Sequence, residues 1–249
     1  MWYTLTWPIA CGILRIAFRI LGGGIHRNGT ENVPKTGGVL ICPNHVCDAD
    51  AGAIAVAVPR APWFIGKAEL FSPAWFGALL HHFHVIPIKR DSADRSALRR
   101  ADALLKAGEA LVLFPEGGGN PEGVLQPLHP GAAMIALRAH VPIVPVALIN
   151  TNKIWPYGDP RPRRGGVPVR VIFGEPIDLS DLEGQKGAIE AGTARLTERL
   201  AALVGQPIPT GKPQKHEEAP KAEMTCKPVP PRRDAAIRSE KARGEVHGM

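Results

Sequence analysis

Two kinds of apolar pattern alternate along the chain. Residues 39–42, 110–114 and 143–149 are short runs in which nearly every position is apolar, whereas residues 92–107 and 188–203 carry apolar positions every three or four residues. The first kind fits a strand covered on both faces and the second a helix with one face turned inward. Strands are accordingly predicted at residues 25–29, 39–42, 63–66, 85–88, 110–114, 143–149 and 167–173. Helices are predicted after residue 48, from Pro73, and over residues 92–107, 131–139 and 188–203. Because strand and helix take turns, the crossovers are right-handed and the predicted class is α/β, a mostly parallel central sheet flanked by helices. Parallel strands deliver their C-terminal ends to one edge. Four of these runs end in polar or charged residues, marked by His45, Lys67, Arg90 and Glu116.

Two segments stand outside the alternation. Residues 1–24 open with Trp2, Tyr3 and Trp7, and from Pro8 to Leu21 they are mostly apolar before three glycines end the pattern. Arg15 and Arg19 are four apart and share one flank of this helix. The run is shorter than the roughly 20 apolar residues that a membrane span needs, and its arginines interrupt it. It reads as a helix lying in the membrane interface, aromatics at headgroup depth and arginines toward anionic phosphates. A helix docked on the protein's own core is the competing reading. After Gly205, Pro, Lys, Arg and Glu dominate and apolar periodicity is lost, so residues 206–249 are expected to be disordered. The expected organisation is therefore an interfacial helix at residues 1–24, one domain at 25–205, and a tail.

Composition narrows the partners. With 45% hydrophobic residues among 249, the chain can bury one sizeable core. A formal charge of +7 favours acidic partners, including an anionic membrane surface. No helix-turn-helix, zinc-finger or RNP-like pattern occurs, which argues against nucleic acid. Cys11, Cys42, Cys47 and Cys226 lack CxxC spacing, so neither a metal knuckle nor a disulfide scaffold is expected, and a reducing compartment fits. His81, His82 and His84 lack the i, i+4 spacing of a helical zinc pair, and no metal is expected there.

The chemistry concentrates where residues 39–42 run into Pro43-Asn44-His45-Val46-Cys47-Asp48-Ala49-Asp50. A strand end followed by a turn and a helix is where open α/β sheets bind ligands. A histidine there is a candidate general base, and a nearby carboxylate fixes its tautomer. Asp50, one helical turn beyond His45, is placed to reach back to the ring; Asp48 competes for that role or caps the helix. Cys47 beside His45 admits a thiol hydrolase reading.

These blocks, in this order, resemble the glycerolipid acyltransferase family typified by lysophosphatidate acyltransferase. Asn44-His45 through Asp50 looks like its NHxxxxD motif, and Lys67-Ala-Glu-Leu-Phe-Ser-Pro-Ala-Trp-Phe-Gly77 like its KxELFxxPxxG block. Ile86-Pro-Ile-Lys-Arg90 is similar to the family's strand ending in Arg, Phe114-Pro-Glu116-Gly117 to the start of FPEGTRS, and residues 141–148 to its VPIVPV strand. The resemblance spans residues 25–180. It implies that His45 takes the proton from a lysophospholipid hydroxyl as that hydroxyl attacks an acyl thioester, with Asp50 orienting the ring. It implies acyl-carrier protein or acyl-CoA as co-substrate and no further cofactor. It also implies substrate contacts at Lys67, Arg90, Glu116 and Gly117, oxyanion stabilisation near residues 117–119, and work at the cytoplasmic face of the membrane. The favoured acceptor is 1-acyl-sn-glycerol-3-phosphate, giving phosphatidic acid. Two departures bear on the acceptor: Gly118-Gly119-Asn120 replaces Thr-Arg-Ser, and His129 stands where Lys commonly precedes Pro-Gly. Either Arg90, Lys67 and the basic loop of residues 161–164 compensate, or the acceptor is another lysolipid or an amino-acid lipid. A non-catalytic lipid-binding module is the remaining alternative.

Overall fold

The computed structural model describes residues 2–89, 94–120, 122–157, 159 and 161–213. Arg90 and residues 214–249 lie outside the described residues, so the expectations for Arg90 and for most of the tail are not addressed by it. Within the expected tail, Gln206 is held: its side chain accepts from Leu125 N at 2.6 Å and donates to Gly123 O at 3.0 Å.

Seven strands form one sheet: β1 (Ile25–Asn28), β2 (Val39–Pro43), β3 (Trp63–Lys67), β4 (Val85–Ile88), β5 (Ala110–Val112), β6 (Ile143–Ile149) and β7 (Val169–Phe173). Their spatial order is β1-β7-β6-β2-β5-β3-β4, and every neighbouring pair is parallel except β6 with β7. The helices are α1 (Trp2–Gly22), α2 (Ala49–Ala57), α3 (Ala74–His82), α4 (Arg95–Lys106), α5 (Gly131–Ala139), the single turn α6 (Thr151–Ile154) and α7 (Ala188–Val204).

Alternation along β2 builds two cores. Val39 and Ile41 point into a cluster with Phe18 of α1 and Ala53, Ile54 and Ala57 of α2. Leu40 and Cys42 point the other way, into a cluster with Leu105 of α4, Ala132 and Ala136 of α5, and Leu196 and Leu200 of α7. A strand buried on both faces has to be apolar at every position, which is why residues 39–42 show no polar alternation.

Helix α1 lies within the expected bounds of residues 1–24. It begins at Trp2 and carries Pro8 inside, giving 21 residues where the periodic run from Pro8 gives fewer. By length and composition it is long enough and apolar enough to cross a membrane, contrary to the expectation that it falls short. One face packs on the protein: Cys11 and Phe18 are buried, and Trp7, Leu14 and Leu21 lie against the first core. Its N-terminal end docks through histidines. The His84 ring stacks on Tyr3 at a centroid distance of 3.6 Å and on Trp63 at 4.1 Å, and Thr6 Oγ1 lies 2.7 Å from His82 Nε2. Leu5, Ile9, Ile13, Ile16 and Ile20 form the opposite stripe, each about 60% exposed.

Candidate active site

β2 stops at Pro43 and the chain turns sharply into α2, leaving His45 in the turn at the C-terminal edge of the sheet. Asn44, buried, extends the sheet with its side chain. Its Nδ2 donates to Leu148 O at 3.2 Å and its Oδ1 accepts from Leu148 N at 2.7 Å, fastening the turn to β6.

Asp50, in the first turn of α2, is fully buried and looks back at the turn. One oxygen, Oδ2, takes three contacts: Val46 N at 2.7 Å, Cys47 N at 2.9 Å and His45 Nδ1 at 2.9 Å. A carboxylate that faces Nδ1 while also accepting two amides leaves that nitrogen the donor, so the lone pair of the neutral ring sits on Nε2. The choice between the two acids is thereby decided. Asp48 precedes α2, is exposed, and its side chain makes no capping hydrogen bond. The His45 side chain keeps 16% of its surface exposed, and Phe114 covers one side of the ring at a centroid distance of 4.3 Å.

Cys47 is not a nucleophile. It is fully buried, its Sγ lies 3.7 Å from Asp50 Oδ1, and burial, with the Asp50 charge adding to it, pushes the thiol up to about 12. A thiol that holds its proton and has no path to solvent cannot open a thioester, and the thiol hydrolase reading falls.

Glu116 follows β5 and is buried. Its Oε1 accepts from His45 N at 2.5 Å and its Oε2 from Gln126 N at 2.8 Å. Both oxygens are therefore engaged with backbone, and the carboxyl ties the histidine turn to the loop after β5. Burial pushes its pKa up to about 7, against the two amides that favour the charged form. Gly117 takes a left-handed conformation at φ 79° and gives its N–H to Phe114 O at 3.2 Å, so that amide is not available to substrate. Among the described residues, the Gly118 and Gly119 amides have no hydrogen-bond partner.

Lys67 ends β3 at the same sheet edge, with β5 between it and β2. The structure thus gathers His45, Asp50, Glu116, Gly117 and Lys67 along one rim. Sequence reasoning missed Asn44 as a fastener and Phe114 as the cover of the ring. It also missed Tyr157: a Cβ placed on Gly119 would stand 2.6 Å from Tyr157 Cε2 and 2.7 Å from Cδ2. The tyrosine ring occupies the space that a side chain at 119 would take. Nothing in the spacing of residues 119 and 157 signals that contact.

A family model described as Acyltransferase matches residues 24–149, half of the chain. The chain belongs to the Acyltransferase family. The family's NHxxxxD and FPEG blocks, seen here at residues 44–50 and 114–117, are the segments that build the rim just described. The chain is 30% identical over 186 residues to a 1-acyl-sn-glycerol-3-phosphate acyltransferase of Bacillus subtilis, covering 74% of this chain and 89% of that one. It is 31% identical over 175 residues to a protein of the same name from Cocos nucifera, of which it spans 56%. In three dimensions it resembles the 1-acyl-sn-glycerophosphate (LPA) acyltransferase PlsC from Thermotoga maritima, with TM-score 0.64, 22% identity and 81% of each chain covered; at that identity the likeness speaks to the fold. As a lipid acyltransferase with an apolar N-terminal helix, this enzyme is membrane-associated.

Proposed function

We propose that this acyltransferase moves a fatty acyl group from an acyl thioester, on acyl-carrier protein or CoA, to the free hydroxyl of a lysophospholipid. The favoured acceptor is 1-acyl-sn-glycerol-3-phosphate, with phosphatidic acid as product; the name of the Bacillus subtilis relative supports it. The observation that carries the mechanism is the His45–Asp50 pair at 2.9 Å with Nε2 left as acceptor.

In this mechanism the acceptor hydroxyl gives its proton to Nε2 as its oxygen bonds to the thioester carbonyl carbon. Asp50 stabilises the imidazolium. The tetrahedral oxyanion is met by the unpartnered amides of Gly118 and Gly119. Collapse breaks the carbon–sulfur bond, the thiolate leaves, and the imidazolium returns the proton to sulfur. No acyl-enzyme forms. Lys67, at the rim, is the cation placed to hold the acceptor phosphate. Glu116 works on the backbone of the turn and shapes it, which differs from the direct acceptor contact that the motif position implied.

Helix α1 meets the membrane in the plane of the interface at its cytoplasmic face. Crossing the bilayer would strip Phe18, Leu14 and Trp7 from the core they pack on. Lying flat keeps that face docked and gives the stripe from Leu5 to Ile20 to lipid. Exposed Trp75 and Leu79 on α3, next to the docked end of α1, extend the apolar surface.

The test is product analysis. Purified protein with a mixed lysolipid pool and both thioester donors should release thiol and form phosphatidic acid in the wild type, and neither in His45→Ala. Acylation of another lysolipid in preference would favour the second reading, which the side-chain-free Gly119 supports. Thiol release without acyl transfer would overturn both.

A further inference from the structure

A second site lies on α1 and β1, away from the catalytic turn. A pocket of about 340 Å³ opens between the C-terminal half of α1 and the edge strand β1, lined by Arg15, Arg19, His26, Arg27 and the backbone of Gly23 and Gly24, and its lining contains no carboxylate. Among the described residues none of these three arginines forms an ion pair. Three exposed guanidinium groups around one concavity, with no acid to neutralise them, are held together at a cost in mutual repulsion that a bound anion would relieve.

The geometry states what kind of anion fits. A bare phosphate is far smaller than this pocket, whereas a phosphate carrying a glycerol-sized group fills it better. Guanidinium forks bind phosphate oxygens in pairs. The C-terminal end of α1 opposes an anion with about half a negative charge, which three full positive charges outweigh. On the wheel of α1, Arg15 and Arg19 stand about a quarter turn from the exposed stripe of Leu5, Ile9, Ile13, Ile16 and Ile20. With that stripe turned to lipid, the arginine flank comes to the depth of the headgroup phosphates. Arg27 is brought there by a different element, the edge strand.

The pocket is not the acyl-transfer site. Register carries Arg27 to Val171 of β7 and on to Leu148 of β6, the residue to which Asn44 is fastened. Arg27 is thus level with the His45 turn but three strands away, roughly 14 Å at ordinary strand spacing.

We infer that the Arg15–Arg19–Arg27 pocket between α1 and β1 binds a phosphate-bearing ligand, the headgroup of an anionic phospholipid or a free phosphate, as a site separate from catalysis. The membrane-surface reading above supplies the lipid as one source; the pocket itself does not depend on that reading or on the acyl-transfer reading.

The experiment titrates full-length protein with dihexanoyl phosphatidylglycerol below its micelle concentration, and separately with inorganic phosphate, following binding by calorimetry. Arg27→Gln removes one pocket cation without touching α1, and Arg199→Gln, exposed on α7 across the sheet, makes the same change in net charge. Wild type should bind one lipid per chain, Arg27→Gln at least ten-fold more weakly, and Arg199→Gln as wild type. Inorganic phosphate binding as tightly as the lipid would support the site with a free phosphate as its ligand; much weaker binding would support the headgroup. Equal binding by wild type and Arg27→Gln, or equal loss in Arg199→Gln, overturns the site. His45→Ala should bind as wild type, and Arg27→Gln should still float with pure phosphatidylcholine vesicles, so failure of either earlier reading is told apart from failure of this one.

Discussion

Asp50 Oδ2 lies 2.9 Å from His45 Nδ1 while holding the amides of Val46 and Cys47. One oxygen thus fixes both the ring and the backbone that carries it. Asp50→Asn presents either an amide NH₂ or a single carbonyl oxygen to three donors and no longer stabilises the imidazolium. It should lower kcat on the order of 10²- to 10⁴-fold, with a smaller change in KM, and also lower the thermal midpoint. Steady-state thiol release and a melting curve on the same preparation check both parts. A variant that keeps wild-type kcat would remove Asp50 from the mechanism.

Glu116 links pH to the shape of the site. Its folded-state pKa, near 7, lies above the ordinary carboxyl value of 4.5, so between these values the folded protein binds a proton that the unfolded chain releases. Its contribution to stability is full below about 4.5 and lost as pH rises through about 7, an effect of order 3 kcal/mol. Activity should run the other way, since the ionised carboxylate accepts strongly from both His45 N and Gln126 N, and protonation weakens the bond at the oxygen that takes the proton. Glu116→Gln removes the titration but turns an NH₂ toward one of those amides. Denaturant melts from pH 4 to 8 should show wild type losing ground to Glu116→Gln as pH rises; parallel curves would contradict this.

Asn44 replaces a strand bond with side-chain bonds to both polar atoms of Leu148. Asn44→Ala leaves those two groups unpaired in a buried place. A loss of about 2–4 kcal/mol is expected, read from urea unfolding, with activity falling as the turn loosens.

Gly119 and Tyr157 compete for one space. Gly119→Arg alone must push the half-exposed tyrosine aside, whereas Gly119→Arg with Tyr157→Ala restores a cation at the rim without a clash. The double variant should lower KM for a phosphate-bearing acceptor several-fold relative to Tyr157→Ala. An unchanged KM would show that position 119 does not face the acceptor.

Cys47→Ala should retain turnover, because the thiol is buried and holds its proton. The folded protein should leave this cysteine unlabelled by a thiol reagent that reacts in denaturant. Loss of the chemical step alone, with fold and KM intact, would return Cys47 to the mechanism.

Much of this architecture was legible in the chain. Strands covered on both faces announce themselves by unbroken apolar runs, and β2, β3, β4 and β6 fall within a residue or two of their predicted bounds. The convergence of His45, Lys67 and Glu116 followed from parallel strands alone. Asp48 and Asp50 could not be separated, because the choice depends on α2 beginning at Ala49, which aims the Asp50 side chain back at the turn. What holds the N-terminal end of α1 was not legible. Here Tyr3, Thr6 and Trp7 extend the helix through partners around residues 82–84, too distant in sequence for periodicity to reveal. The reversal at β6–β7 had a signal that the alternation of strand and helix overshadowed: no crossover helix lies between these strands, only the single turn α6, so β7 returns antiparallel.

That reversal sets a height. Because β7 and β1 run against the other strands, the chain leaves α1 and enters the sheet at the very rim that carries His45, with Gly23 and Gly24 as the joint. On the proposed membrane-surface pose, the depth of His45 Nε2 relative to the bilayer is therefore fixed by ladder pairing, as on a rack and pinion. A two-residue slip of β1 against β7 would move it by about 7 Å, roughly the reach of a glycerophosphate.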